Sequence, residues 1–202
     1  MVSVEHITIV STDETDARFY EDALGLGARV RVQGGDAPTS GFRGFLLGLV
    51  VGQPADIDHL IGQAQGAGAS VLKPATKSLW GYGGVVKAPD GTIVTLASSS
   101  KKNTGPVTRS VDEIVLQLGV EDVAASRQFY EARGFAVGKS YGRKYVEFDT
   151  RPLSFTLNRR GDLAKNAGVP AEGTGSHRVL ISADGEPFTD PDGYMWERHG
   201  SS

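Results

Sequence analysis

The sequence of 202 residues contains no cysteine, and only four histidines, two methionines and two tryptophans. The absence of cysteine excludes a disulfide framework, a thiolate metal site and a cysteine nucleophile, so any metal must be held by His, Asp or Glu. No apolar run approaches the roughly 20 residues that a membrane-spanning helix needs, and the N-terminus lacks the basic and apolar regions of a secretory signal. We therefore expect a cytoplasmic protein with no membrane partner.

The chain also lacks an excess of positive charge. It has 21 Lys and Arg residues against 24 Asp and Glu residues, which gives a formal net charge of −3. Binding to nucleic acid requires a clustered basic surface, and the basic residues here are scattered, so we predict no nucleic-acid partner. The hydrophobic content of 39% is typical of a globular protein with a sizeable core. We expect a monomer or homodimer whose partner is a small-molecule ligand or substrate.

Two short motifs each occur twice. Pro-Asp-Gly stands at 89–91 and 191–193, and Phe-Tyr-Glu stands at 19–21 and 129–131. Proline fixes φ and Asp-Gly favours a tight turn, so each Pro-Asp-Gly predicts a turn that leads into a strand. The recurrence predicts a duplicated fold. The second pair of motifs is closer together than the first, which indicates that the second copy is abbreviated.

Hydrophobic periodicity predicts an α+β fold that consists of tandem βαβββ-type modules. The three main predicted helices cover 13–25, 54–68 and 122–134. The glycine-rich segment 80–84 is predicted as a loop. The polar stretch 98–109 contains Gly-Pro and has linker composition. We place a first domain at 1–98, a linker at 99–109 and an abbreviated second domain at 110–202.

This combination of repeated β-α-β units, a Phe-Tyr pair in the first helix and a Pro-Asp-Gly turn before the last strand resembles the vicinal oxygen chelate superfamily. That superfamily includes glyoxalase I, bleomycin-resistance proteins, fosfomycin-modifying enzymes and extradiol dioxygenases. The resemblance covers almost the whole chain as two tandem copies. It implies that the βαβββ modules form curved mixed sheets with helices on the outside. It also implies a small molecule held in a cavity lined by these sheets, in either a metal-dependent enzyme or a metal-free binding protein.

The resemblance also implies a set of metal ligands. His6 matches the first-strand histidine, His177 matches the second histidine, and Glu197 matches the closing glutamate. The other family positions carry Phe45, Thr95 and Val115, which do not bind metal as His or Glu would. If the first unit of the chain pairs with the last, the two histidines and the carboxylate form a site for a divalent ion such as Fe, Mn, Ni or Zn. The alternative is that these histidines are packed or hydrogen-bonded residues.

Two functions therefore remain open. In the first, the metal acts as a Lewis acid or redox centre in a lyase or dioxygenase, and Glu147 moves a proton as the catalytic base; Glu147 is equally explained as an exposed charge on a strand. In the second, the protein sequesters a ligand without metal, as bleomycin-resistance proteins do. In both, Trp80 and Tyr82 border the ligand cavity, or else cover the sheet. His59 and His199 are expected to be solvated, and Trp196 to be buried.

Overall fold

The structure is a computed structural model that describes residues 2–200. Within this range the α-helices are α1 (Pro54–Gly66), α2 (Val123–Glu131) and α3 (Arg160–Ala167). The strands, in chain order, are β1 (Val4–Ser11), β2 (Val30–Gly34), β3 (Thr39–Gly41), β4 (Phe45–Val50), β5 (Ser70–Ser78), β6 (Gly81–Lys87), β7 (Ile93–Ser98), β8 (Glu113–Val120), β9 (Val137–Tyr141), β10 (Tyr145–Phe148), β11 (Ser154–Arg159), β12 (Gly173–Gly175), β13 (Val179–Ala183), β14 (Phe188–Thr189) and β15 (Met195–Arg198). None of the helices between residues 2 and 200 has the length and apolar character needed to cross a bilayer.

The strands form two mixed sheets and one short ribbon. The five-stranded sheet has the order β14-β15-β13-β1-β2, the eight-stranded sheet has the order β5-β6-β7-β4-β8-β11-β10-β9, and β3 pairs with β12. The first unit pairs with the last, because β1 runs antiparallel to β13 with Ile7 opposite Ile181. The two middle units pair through β4 and β8. Each sheet therefore draws strands from both sides of the segment 99–109, and the predicted α+β fold is confirmed.

Apolar side chains on the two faces of the eight-stranded sheet belong to two different buried clusters. In β4, Phe45, Leu47 and Leu49 belong to the main core, which also receives side chains from the five-stranded sheet. Leu46 belongs instead to a second cluster that includes Leu163 of α3. Because successive side chains of a strand point to opposite faces, α3 covers the face of the eight-stranded sheet that is turned away from the main core.

In each half of the chain, the tyrosine of the Phe-Tyr-Glu motif binds an aspartate that lies in or directly before a Pro-Asp-Gly motif. The hydroxyl of Tyr20 donates to Oδ2 of Asp90 over 2.5 Å, and the hydroxyl of Tyr130 donates to Oδ2 of Asp190 over 2.7 Å. Both tyrosines are fully buried. Asp90 is the aspartate of the first Pro-Asp-Gly motif, whereas Asp190 directly precedes the second motif at 191–193. Each bond ties the first helical segment of one unit to the turn region of the next unit, although the acceptor stands at a different position of the turn.

The prediction that 80–84 is a loop is wrong. Strand β6 begins at Gly81 and pairs antiparallel with β5 and β7. A Cβ atom at Gly84 would lie 2.9 Å from Cδ1 of Ile61 on α1 and 3.1 Å from Cα of Ala75. The glycine therefore allows the helix and the neighbouring strand to approach closely, rather than loosening the chain.

The predicted helix at 13–25 is also only partly correct. Asp13 caps its start as expected, since Oδ1 accepts from the backbone N–H of Thr15 over 2.9 Å. The segment then forms a 3-10 turn at Glu14–Asp16, a π-helical turn at Phe19–Ala23 and a second 3-10 turn at Gly27–Arg29. Gly25 and Gly27 both have positive φ, which interrupts a regular α-helix between the last two turns.

Candidate functional site

A cleft on the polar face of the five-stranded sheet contains two of the predicted metal ligands. Ser182 lies opposite His6 on one side and beside Glu197 on the other, so these three residues form a row across β1, β13 and β15. The row borders a cavity with a volume of ≈ 420 Å³. Its other walls include Thr8, Arg31, Gln33, Arg198 and His199.

The electrostatics at His6 oppose a cation. Its side chain is largely buried, with 5% of the residue exposed. Burial lowers the pKa of His6, and the positive charge of Arg31 and the neighbouring His199 lower it further, against a smaller effect of Glu5. The rings of His6 and His199 meet edge to face, with their centroids 5.7 Å apart. A guanidinium that disfavours the imidazolium also disfavours a divalent ion bound at the same imidazole.

Polar groups along this row are left without protein partners. Oγ of Ser182 is buried and has no hydrogen-bond partner among residues 2–200. Glu197 and Arg31 form no ion pair with each other or with any other residue in the part of the chain that the structure describes. They lie on β15 and β2, which are separated by two intervening strands. The cleft therefore presents a carboxylate at one side, a guanidinium at the other, and a buried hydroxyl between them.

The third predicted ligand, His177, lies away from this cleft. Its Nδ1 faces the backbone oxygen of Arg43 at 2.5 Å and its Nε2 faces the backbone oxygen of Asp192 at 3.0 Å. The imidazole also stacks on Tyr194, with ring centroids 4.0 Å apart. Ring nitrogens engaged by carbonyl oxygens are not available to a metal, so His177 serves here to connect two backbone segments.

The residues present do not fit the divalent metal that the resemblance implies. No group of three or more His, Asp or Glu side chains in the described range could hold a metal ion. The structure brings His6 and Glu197 to one cleft, where the additional groups are Arg31 and His199 rather than a second anionic ligand. Although His6, His199 and Glu197 all line the cleft, they do not form a group that could hold a metal ion, and the guanidinium of Arg31 lines the same cleft.

Glu147 lies on the other sheet. It is half-buried on β10 of the eight-stranded sheet, and its Oε2 accepts from the hydroxyl of Tyr145 over 2.8 Å. Tyr145, Thr95 and Gln117 border a smaller cavity of ≈ 200 Å³ on that sheet. Glu147 is therefore not positioned to act on a ligand held between His6 and Glu197.

Trp80 and Tyr82 are placed away from the cavities described here. Trp80 is 84% exposed at the β5–β6 turn. The hydroxyl of Tyr82 donates to Asp58 on α1 over 2.7 Å, and its ring packs against the main core. Neither residue lines the His6–Glu197 cleft or the cavity beside Tyr145. Trp196 is buried, as predicted, with 3% exposed.

Sequence reasoning missed Arg31 and His199 as cleft residues. His199 was expected to be solvated, and it is exposed, but it stands two residues after Glu197 and so follows the same strand face. The two-residue spacing of Glu197 and His199 is therefore a sequence signal that both side chains lie on one face of the strand. The position of Arg31 beside His6 depends on the parallel pairing of β2 with β1, which periodicity alone does not reveal. His59 was also expected to be solvated, yet it is half-buried and its Nε2 has no partner within residues 2–200.

Several solved structures share this architecture. Glyoxalase I from Zea mays matches with a TM-score of 0.61 over 97% of this chain and 91% of its own, at 14% sequence identity. A proposed dioxygenase from Bacillus subtilis matches with a TM-score of 0.59 over 96% of this chain and 83% of its own, at 10% identity. No family model matches the sequence, and no curated protein matches it significantly. At these identities the similarity concerns the fold and not the activity. The chain therefore has the fold of the vicinal oxygen chelate superfamily.

Proposed function

We propose that this protein is a metal-independent binding protein that holds a small polar molecule in the cleft between Glu197 and Arg31. The observation that carries the proposal is the position of Arg31 beside His6, because it lowers the affinity of the imidazole for any cation. The proposal corresponds to the sequestering alternative of the sequence analysis. It takes the place of a metal-dependent lyase or dioxygenase, for which the third ligand His177 is engaged elsewhere.

The charged and polar groups of the cleft indicate which chemical groups a ligand carries. Arg31 offers a fork of N–H donors, and Glu197 offers carboxylate acceptors on the opposite side. The hydroxyl of Ser182 is buried without a partner at the centre of the row, and an unpaired buried hydroxyl costs about 1–3 kcal/mol until something binds to it. A polar molecule with an acceptor at one end and a donor at the other would satisfy all three groups.

The metal question is tested by elemental analysis of protein purified under native conditions. Samples of the wild type, His6→Asn and Glu197→Gln are incubated with Mn²⁺, Fe²⁺, Ni²⁺ or Zn²⁺ and then desalted. We expect far less than one retained ion per chain in all three proteins, and no change of melting temperature on addition of a chelator. One retained ion per wild-type chain that both variants lose would contradict the proposal and favour the metal-dependent enzyme.

The binding claim is tested by a thermal-shift screen of small polar compounds that carry both an anionic group and an amine. Compounds that stabilise the wild type are measured by calorimetry against Arg31→Gln, Glu197→Gln and the control Arg143→Gln, an exposed arginine outside the cleft. We expect each cleft substitution to weaken binding about tenfold, since each removes a hydrogen bond to a charged group. Binding that is unchanged in both cleft variants would place the ligand elsewhere.

A further inference from the structure

A second cavity of similar volume lies outside the His6–Glu197 cleft. It has a volume of ≈ 440 Å³ and is enclosed by the β3–β12 ribbon, the start of β4 and the turn before β7. Phe42, Phe45, Ile93 and Val169 give it apolar walls. A volume in this range is typical of sites for small molecules.

Arg43 stands in the wall of this cavity with an incomplete set of hydrogen bonds. Its side chain is only 12% exposed, and Nη2 donates to the backbone oxygen of Asp90. Nη1 lies 3.7 Å from Oδ1 of Asp90, beyond hydrogen-bond distance, and has no partner among residues 2–200. Buried N–H groups of a charged side chain are normally satisfied, so this one requires an explanation.

Asp90 does not complete the hydrogen bonding of Arg43, because its carboxylate is already engaged by other donors. Its Oδ2 accepts from the hydroxyl of Tyr20 over 2.5 Å, and its Oδ1 accepts from the backbone N–H of Thr92 over 2.7 Å. Burial lowers the pKa of Arg43, and Arg178 lowers it further, while Asp90 raises it. The Nη1 group of Arg43 therefore lacks a hydrogen-bond acceptor, and a ligand in the cavity that Arg43 lines is a candidate to supply one.

Thr39 supplies a second group of the same kind. It lines the same cavity from β3, and its Oγ1 is buried without a hydrogen-bond partner in the described chain. The other charged residues of the lining, Lys87 and Glu172, are exposed and form no ion pair with Arg43. The two unsatisfied groups thus coincide at one cavity with apolar walls, which is the composition of a site for an amphipathic acid.

We propose that this cavity binds a small molecule in which a carboxylate is joined to an apolar body. The carboxylate accepts from Arg43 and Thr39, and the apolar body packs against Phe42, Phe45 and Ile93. Arginine suits this role because its planar fork of donors matches the two oxygens of a carboxylate. This site is separate from the cleft of the proposed function and shares none of its lining residues.

Three probes test the two parts of the proposed ligand. 4-Phenylbutanoate carries both parts, 4-phenylbutanamide replaces the carboxylate by a neutral group, and butanoate lacks the aromatic ring. Calorimetry of the wild-type protein should show 4-phenylbutanoate binding at least about tenfold more tightly than either of the others. Equal affinities for the acid and the amide, or no binding of the acid at millimolar concentration, would overturn the proposal.

Substitutions test whether 4-phenylbutanoate binds in this cavity. Arg43→Gln should weaken 4-phenylbutanoate binding about tenfold or more, and Arg143→Gln, at an exposed arginine outside the cavity, should leave it unchanged. Thr39→Val keeps the β-branched shape, so we expect the melting temperature to be retained while affinity falls about threefold. If Arg43→Gln does not fold, Arg43→Lys and Thr39→Val carry the test. Wild-type affinity in the folded Arg43 and Thr39 variants, or loss in Arg31→Gln alone, would overturn the assignment.

Discussion

Replacement of Tyr130 by Phe removes one hydroxyl from the aromatic part of the core. That hydroxyl donates to Oδ2 of Asp190 over 2.7 Å and accepts from Nε1 of Trp196 over 3.1 Å. A hydrogen bond to a charged acceptor contributes about 1.5–3 kcal/mol, and a buried indole N–H that loses its partner costs about 1–3 kcal/mol. We therefore expect Tyr130→Phe to lower the free energy of unfolding by about 3–4 kcal/mol.

Tyr20→Phe is the matched control within the same chain. Tyr20 is also fully buried and donates to Oδ2 of Asp90 over 2.5 Å. In the described chain no indole N–H donates to its hydroxyl, since the indole of Trp196 donates to Tyr130 and Trp80 is exposed. We expect Tyr20→Phe to lower the free energy of unfolding by about 2 kcal/mol. The difference between the two variants then gives the free-energy cost of leaving the indole N–H of Trp196 without a hydrogen-bond partner.

Equilibrium unfolding in urea at pH 7 and 25 °C gives both free energies, provided that the m-value stays constant. Equal losses in the two variants would refute the reasoning. The pH dependence gives a second check. Burial raises the pKa of Asp190, whereas the hydrogen bond from Tyr130 lowers it. A carboxyl with a raised folded-state pKa contributes stability that is present below its unfolded pKa of about 4 and is lost as pH rises through the folded value. Without the Tyr130 hydroxyl, this loss between pH 4 and pH 7 should be larger.

Three further predictions concern His6, the linker and Trp80. Because the pKa of His6 is lowered from 6.5, NMR should show the imidazole titrating below that value, and the free energy of unfolding of the wild type should fall as the pH falls from 6.5. Arg31→Gln should raise the pKa of His6, and an unchanged pKa would contradict the role of Arg31. Limited trypsin digestion should cut the chain first within 99–109, and a first cut elsewhere would count against the domain boundary. Gln53→Ala should accelerate this cut, because Gln53 is hydrogen-bonded to Thr104, Gly105 and Pro106, whereas the exposed control Gln65→Ala should not. Trp80→Phe should change the free energy of unfolding by less than about 0.5 kcal/mol and remove most of the acrylamide-quenchable fluorescence, whereas persistent quenching would show that Trp196 is accessible.

The sequence predicts the fold well where local chemistry and long-range packing agree. The Phe-Tyr pairs and the Pro-Asp-Gly turns mark corresponding places in the two halves. Tyr20 binds the aspartate of the first turn, and Tyr130 binds Asp190, which directly precedes the second Pro-Asp-Gly motif. The side chain of Asp122 caps α2 by accepting from the backbone N–H groups of Ala124 and Ala125. These features depend on a few adjacent residues or on a repeat, so they are visible without a structure.

The site is predicted less well because it depends on pairing between distant strands. The side chains of His6 and Glu197 line the same cleft only because β1, β13 and β15 pair in this register. His177 has the expected spacing, but it precedes β13, and its ring is held by backbone oxygens of two other segments. Likewise, the glycines at 81–84 have loop composition, although close packing under α1 makes them part of a strand. Tertiary contacts decide these cases, and composition does not.

The pairing of β1 with β13 has a consequence for the order in which the protein folds. Ile7 faces Ile181, about 170 residues further along the chain, while the other neighbour of β1 is the short strand β2. Closing a contact over such a separation is entropically costly and slow. During synthesis, the apolar side of β1 is made long before β13 leaves the ribosome, and it stays without its main partner until then. Folding of the five-stranded sheet should therefore complete late, and the unpaired edge of β1 is the place where chaperone binding or intermolecular strand pairing is expected.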